Sequence, residues 1–178
     1  MAKSQVQSAN TAETSGDTVD RADFLTAMRA VANSVTVVTT EGKAGRHGGT
    51  VSAFCSVSAD PPTVLVCLHG ESRIAETVAE NGVFCVNVLP TANQHASDRF
   101  AGRHDDTVAD RFTDIALETD DGALPMLTGS TAFNCKIKET VTSGTHQIFI
   151  GRVTSVQAGT PDPLLYFDGA YRKMGDKL

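Results

Sequence analysis

Gly49-Thr50-Val51-Ser52-Ala53-Phe54-Cys55-Ser56-Val57-Ser58-Ala59-Asp60-Pro61-Pro62 alternates at the strand period of two. Thr50, Ser52, Ser56 and Ser58 fall on one face, and Val51, Ala53, Cys55 and Val57 on the other. The second face suits a core. The first is too polar for one and offers its hydroxyls either to solvent or to a flat, polar-edged ligand. Pro61-Pro62 cannot extend a ladder and marks a turn.

The flanking segments read as strands in hairpin succession. Val35 to Thr40 is a β-branched run, and the glycine-rich segment from Glu41 to Gly49 reads as a hairpin loop. Thr63 to Leu68 reads as a buried strand, and Val83 to Leu89 as another. Ser130 to Val141 and His146 to Val156 form a long pair across Thr142-Ser143-Gly144-Thr145. Leu164 to Phe167 and Tyr171 to Lys173 flank an Asp168-Gly169 turn. Helical signals are fewer. Residues 20–32 carry Phe24, Leu25, Met28 and Val31 at helical spacing behind Asp20 or Asp23 as a cap. Ser72 opens a second helix through Glu80, with Glu76 near the capping-box distance and Asn81-Gly82 as its stop. Residues 91–111 read as short polar helices, and 113–130 as an irregular excursion. This order predicts a mainly β protein with flanking helices, an antiparallel barrel and not a doubly wound parallel sheet. Gly42, Gly45, Gly48 and Gly49 do not make a Gly-x-Gly-x-x-Gly turn.

With 178 residues the chain is expected to hold one domain over 20–178, behind a polar, disordered tail at 1–19. A net charge of −6 argues against a nucleic-acid partner. No apolar run approaches the ~20 residues of a membrane span, and no signal segment opens the chain. Cys55, Cys67, Cys85 and Cys135 show no Cys-x-x-Cys spacing and read as small core residues with free thiols, which fits the cytoplasm.

The Gly-x-Ser-x-Gly elbow of serine nucleophiles is absent, so the 50–58 hydroxyls read as binding groups. The five histidines lack metal-ligand spacing, and no metal is expected. His146 differs from the others. It follows Gly144-Thr145 at the head of an apolar strand, where an imidazole can project into a cleft or bond its own turn. Arg46, Arg73, Arg99 and Arg103 are the candidates for a phosphate clamp. Ser72, at a helix start beside Arg73, marks a possible anion site.

Several motifs together resemble the flavin reductase-like family, the small components of two-component aromatic hydroxylases. They are Val35 to Thr40, the Thr50-x-Ser52-Ala53-x-x-Ser56-Val57-Ser58-x-x-Pro61-Pro62 signature, Phe84 to Leu89, Ser97 to Gly102, Asp110-Arg111-Phe112, Phe133-Asn134-Cys135 and Gly144-Thr145-His146. The likeness is nearest to reductases serving 4-hydroxyphenylacetate and chlorophenol monooxygenases. It implies an antiparallel split β-barrel homodimer that reduces FAD or FMN with NADH and supplies reduced flavin to a separate oxygenase. Carried across, Thr50, Val51, Ser52, Ala53, Phe54, Ser56 and Val57 would meet the flavin ring and ribityl chain. Ser72 and Arg73 would meet its phosphate, with Asn87, Phe100 and Arg103 as further contacts. Gly144, Thr145, His146 and Tyr171 would face the nicotinamide, with His146 as the catalytic candidate. Many relatives carry Gly-Asp-His where this chain has Gly144-Thr145-His146, so one acidic contact is missing. The same barrel could instead hold flavin tightly as an oxidase, or bind it without catalysis as a redox sensor.

Overall fold

The computed structural model describes residues 18–118 and 124–176, so the expected tail lies outside the described residues as far as residue 17. The main sheet has seven strands: β2 (Thr36–Thr40), β3 (His47–Val51), β4 (Phe54–Ala59), β5 (Pro62–His69), β6 (Val83–Val88), β9 (Thr131–Ser143) and β10 (His146–Gln157). Every pairing is antiparallel, and the spatial order is β3-β2-β6-β9-β10-β5-β4. A small sheet joins β1 (Asn33–Ser34), β11 (Leu165–Phe167) and β12 (Ala170–Arg172). β7 (Leu117–Glu118) pairs β8 (Met126–Leu127), so the 113–130 excursion contains a short ladder that the sequence reading lacks. The helices are α1 (Arg21–Met28), α2 (Arg73–Asn81) and α3 (Gln94–Phe100).

β3 and β4 follow one another in the chain yet form opposite edges of the sheet, linked only by Ser52-Ala53. A flat seven-stranded sheet would hold its edges ~29 Å apart at ~4.8 Å per strand. The three steps from Val51 to Phe54 span at most ~11 Å. The sheet must therefore curl, and register shifts at Ser56/Ser58, Ile150/Gly151 and Val153/Ser155 supply bends. No ladder joins β3 to β4, so the barrel is split along that seam. This corrects the single hydroxyl strand expected over 50–58. The chain leaves β2 as its partner at Val51 and takes up β5 from Phe54, and the two halves lie on different edges. Pro62 begins β5 instead of ending the turn, opposite Ala59 across the Asp60-Pro61 hairpin.

Alternation sorts the core into two main layers. Val38, Val51, Val66, Phe84, Val86 and Phe149 meet inside the curl, plugged by Ile74, Ala75 and Val78 of α2. Val35, Val37 and Leu89 face outward against Ala96 and Phe100 of α3 and against Phe112. β2 is buried along its whole length because both its faces are covered. Ser72 caps α2 by accepting the Ala75 amide at 3.3 Å, and Gly82 ends the helix at φ 72°. Ala75 sits where a capping box needs Glu, so Glu76 does not complete one. Asp20 caps α1, but its apolar residues stay exposed, Phe24 by 52%.

Gly48 is required by α3. A Cβ there would lie 2.6 Å from the Phe100 ring. Gly48→Val is expected to destabilise the protein by about 1–3 kcal/mol through overpacking, read as a lower denaturation midpoint in urea.

Candidate functional site

The seam between β3 and β4 opens into a groove of about 390 Å³. Its floor is the segment Gly49 to Ala53, its walls include Leu68, Ile74, Phe100 and Ala101, and His69 and His146 line it beside Ser72, whose hydroxyl donates to the His69 carbonyl at 2.6 Å. Ser72, the cap of α2, and Arg111 also line it. Ser52 and Ala53 belong to no ladder. Their carbonyls accept from Phe54 and Cys67, while among the described residues their own amides donate to no protein acceptor. The groove thus combines apolar walls with unspent backbone donors, which fits a flat ring with acceptors along one edge, as in a flavin. Cys67 contributes a neutral thiol, because burial pushes its pKa up.

His69 and His146 are direct cross-strand partners in β5 and β10, with rings 5.5 Å apart and edge to face. His146 Nδ1 lies 3.0 Å from Thr145 Oγ1, in the two-residue turn that Gly144 makes possible at φ 54°. The Glu71 amide donates to His69 Nδ1 at 3.4 Å. His69 is therefore a site residue that sequence reasoning missed. Its signal, a histidine at the end of a strand, becomes informative only once the β5–β10 register is known.

A second cavity, of about 210 Å³, opens beside the first and shares Thr50, Val51, Ser52 and Ala101 with it. Arg103 and Tyr171 line it, so Tyr171 belongs to this neighbouring space while His146 lines the groove. The Tyr171 hydroxyl donates to Asp98 at 2.8 Å and lies 2.9 Å from Ser97 Oγ, while Arg103 pairs with Asp98 at 2.8 Å. Burial is the main cause that raises the Tyr171 pKa.

The remaining candidates divide in the same way. Thr50 donates its hydroxyl to the Ser97 carbonyl at 2.6 Å, so it ties β3 to α3 and leaves the backbone to face a ligand. Phe54 is half-buried and packs on the Phe133 ring 5.8 Å away. Ser56 and Val57 are exposed on the edge strand β4. Arg73 lines a third cavity on the far side of the α2 start, which Arg111 joins to the groove. Asn87 is fully buried and internal. Its Nδ2 donates to the Val37 carbonyl at 3.1 Å and to Thr39 Oγ1 at 3.2 Å, and its Oδ1 accepts the Leu127 amide at 2.8 Å. The expected flavin contact is replaced by a structural clamp, because every polar atom of the side chain is already spent inside the fold.

Comparison with known proteins agrees with this geometry, because the flavin reductase like domain matches residues 28–175. The chain belongs to that family. One relative is the FMN reductase (NADH) RutF of Bradyrhizobium diazoefficiens, 41% identical over 155 residues, which span 86% of this chain and 85% of the relative. The styrene monooxygenase flavin reductase of Pseudomonas putida S12 superposes with a TM-score of 0.76 at 34% identity, over 87% of this chain and 99% of that one. The NADH:FAD oxidoreductase SgcE6 of Streptomyces globisporus, solved with NAD and FAD fragments, gives 0.78 at 27% identity, over 88% and 93%. Within this flavin reductase chain, no helix among the described residues is long and apolar enough to cross a membrane. No group of metal-ligating side chains occurs among them either.

Asn87→Ala is expected to cost about 1–3 kcal/mol of stability, since it orphans the buried Leu127 amide. Flavin affinity of the folded fraction should stay within about twofold of wild type, a ratio well under 1.4 kcal/mol. Chemical denaturation and a fluorescence titration with flavin separate the two effects.

Proposed function

We propose that this protein binds a flavin in the seam groove, reduces it with NADH and releases it, reduced, to a separate flavin-dependent oxygenase. One juxtaposition carries the reading: unladdered Ser52-Ala53 amides on the groove floor, with paired His69 and His146 lining the same groove. RutF, named an FMN reductase (NADH), and SgcE6, named an NADH:FAD oxidoreductase, support the chemistry. The styrene monooxygenase reductase supports the oxygenase partner and the aromatic setting of its substrate.

A bound flavin would supply the hydride acceptor. The chain's own work is alignment. Ser52 and Ala53 amides hold the polar edge of the ring and favour negative charge there. Leu68, Ile74 and Phe100 exclude water from one side of the groove. Arg73 and the free amides of the first α2 turn take the flavin phosphate, while the amide and hydroxyl of Ser72 are both held by the His69 carbonyl. His146, steered by Thr145 and backed by His69, orients the nicotinamide carboxamide over the ring. Arg103 and Tyr171 border the adjoining cavity and would meet the outer margin of the same flavin. An open groove in place of an enclosed cavity suits a flavin that must leave.

The same reading includes a homodimer in the cytoplasm. β4 is an edge strand exposed on both faces, with Val57 exposed by 50%, and α1 presents Phe24, Leu25 and Met28 outward. Such a surface gains by covering its apolar groups with a second copy. All four cysteines are free, as a reducing compartment requires.

The decisive assay follows loss of NADH absorbance with and without added FAD, FMN or riboflavin. Turnover that depends on added flavin is expected; flavin binding with no turnover would sink the proposal. His146→Ala should raise the NADH KM about tenfold, equivalent to about 1.4 kcal/mol of contact, with the flavin Kd nearly unchanged. Equal effects on both would place His146 at the flavin and not at the nicotinamide.

A further inference from the structure

A cavity of about 700 Å³ lies outside the groove and is lined by Arg46, His47, Arg73, Asp105, Asp110 and Arg111 among others. It adjoins the groove at two places. Arg111 lines both spaces, and Arg73 follows groove residue Ser72 directly at the start of α2. A ligand in the groove with its phosphate at the start of α2 would bring that phosphate beside Arg73.

The charges of the cavity are not those of a plain phosphate pocket. Arg46 is paired with Asp110 at 2.8 Å, and Arg111 holds Asp105 through two hydrogen bonds of 2.9 and 2.5 Å. Arg111 also donates to the carbonyls of Phe100 and Gly48, which fixes it as scaffold. Burial, with Arg111 and Arg73 nearby, lowers the pKa of His47 and disfavours its charged form. One cation remains: among the described residues Arg73 has no carboxylate partner within ion-pair distance. Two carboxylates would repel a free phosphate dianion, yet they are suitable acceptors for sugar hydroxyls or an exocyclic amine. Arg46 adds a flat surface. Its guanidinium lies over the Phe112 ring, 4.4 Å from the centroid, and lines the cavity.

We propose that this cavity is an adenylate site: Arg73 takes the phosphate, the Arg46 guanidinium stacks on the purine, and Asp105 and Asp110 accept from its ribose or amine. The inference rests on the flavin reductase reading, which supplies two dinucleotides with that half, FAD and NADH. If FAD is the source, the cavity is what separates FAD from FMN.

Arg46 is exposed and its ion pair contributes little to folding, so Arg46→Ala and Arg46→Lys should both fold. Binding of FAD and FMN is measured by fluorescence titration, and KM is measured for NADH and for reduced nicotinamide mononucleotide. With FAD as source, Arg46→Ala weakens FAD about tenfold and leaves FMN within about twofold, the loss expected for one stacked, partly desolvated guanidinium. Arg46→Lys should reproduce that loss, because it keeps the charge and the Asp110 pair but not the flat surface. A loss confined to NADH, relative to its mononucleotide, supports the same site with NADH as source. Equal weakening of FAD and FMN, full recovery in the lysine variant, or no change for any of the four ligands overturns the proposal. A wild-type protein that binds flavin without oxidising NADH defeats the reductase reading alone, and the FAD-to-FMN ratio still tests the cavity.

Discussion

Two residues, Ser52 and Ala53, join the opposite edges of a seven-stranded sheet, and that short tether governs the rest of the molecule. The link forces the sheet to curl until Val51 of one edge and Val64 and Val66 near the other share one core. It also prevents closure, because a chain that crosses the seam cannot lie in a ladder on either side of it. The amides left over at the crossing are the cost of the topology and the means of recognition. α2 fills the inside of the curl through Ile74, Ala75 and Val78, and its capped start delivers Ser72 to the seam. A helix required for packing thus also supplies donors for an anion.

Much of this was legible in the sequence, for identifiable reasons. The α2 boundaries follow from Ser72 and Gly82, whose side chain and φ do local work that no distant contact overrides. The Asp168-Gly169 hairpin is similar: φ values of 47° and 74° are those of a tight primed turn. The 50–58 segment was misread because alternation reports burial, not partnership. Thr50, Ser52, Ser56 and Ser58 keep one parity along the chain, but a change of partner at Ser52-Ala53 places them on different edges. Asn87 failed for a related reason. A polar residue inside an apolar strand looks like a site until its three hydrogen bonds to β2 and β8 are visible. His69 and Arg111 depend on register and on a loop path that carry no local signature.

On the proposed function, the contrast between hydroxyls and backbone would let one groove bind flavin without retaining it. The Thr50 hydroxyl is committed to the Ser97 carbonyl, and the Ser58 hydroxyl to the turn at Asp60. What the floor offers is shape, the Ser52 hydroxyl and main-chain amides, which every flavin would meet through the shared ring. Discrimination must then come from around the floor. Two imidazoles, 5.5 Å apart, are suited to a nicotinamide, and the His69 carbonyl holds the start of α2 through Ser72. Past that start, the flat surface of Arg46 on Phe112 is suited to groups that FMN lacks. If the floor is indifferent and its surroundings are selective, substitutions around it would change which dinucleotide is used while the reaction at the ring stays the same.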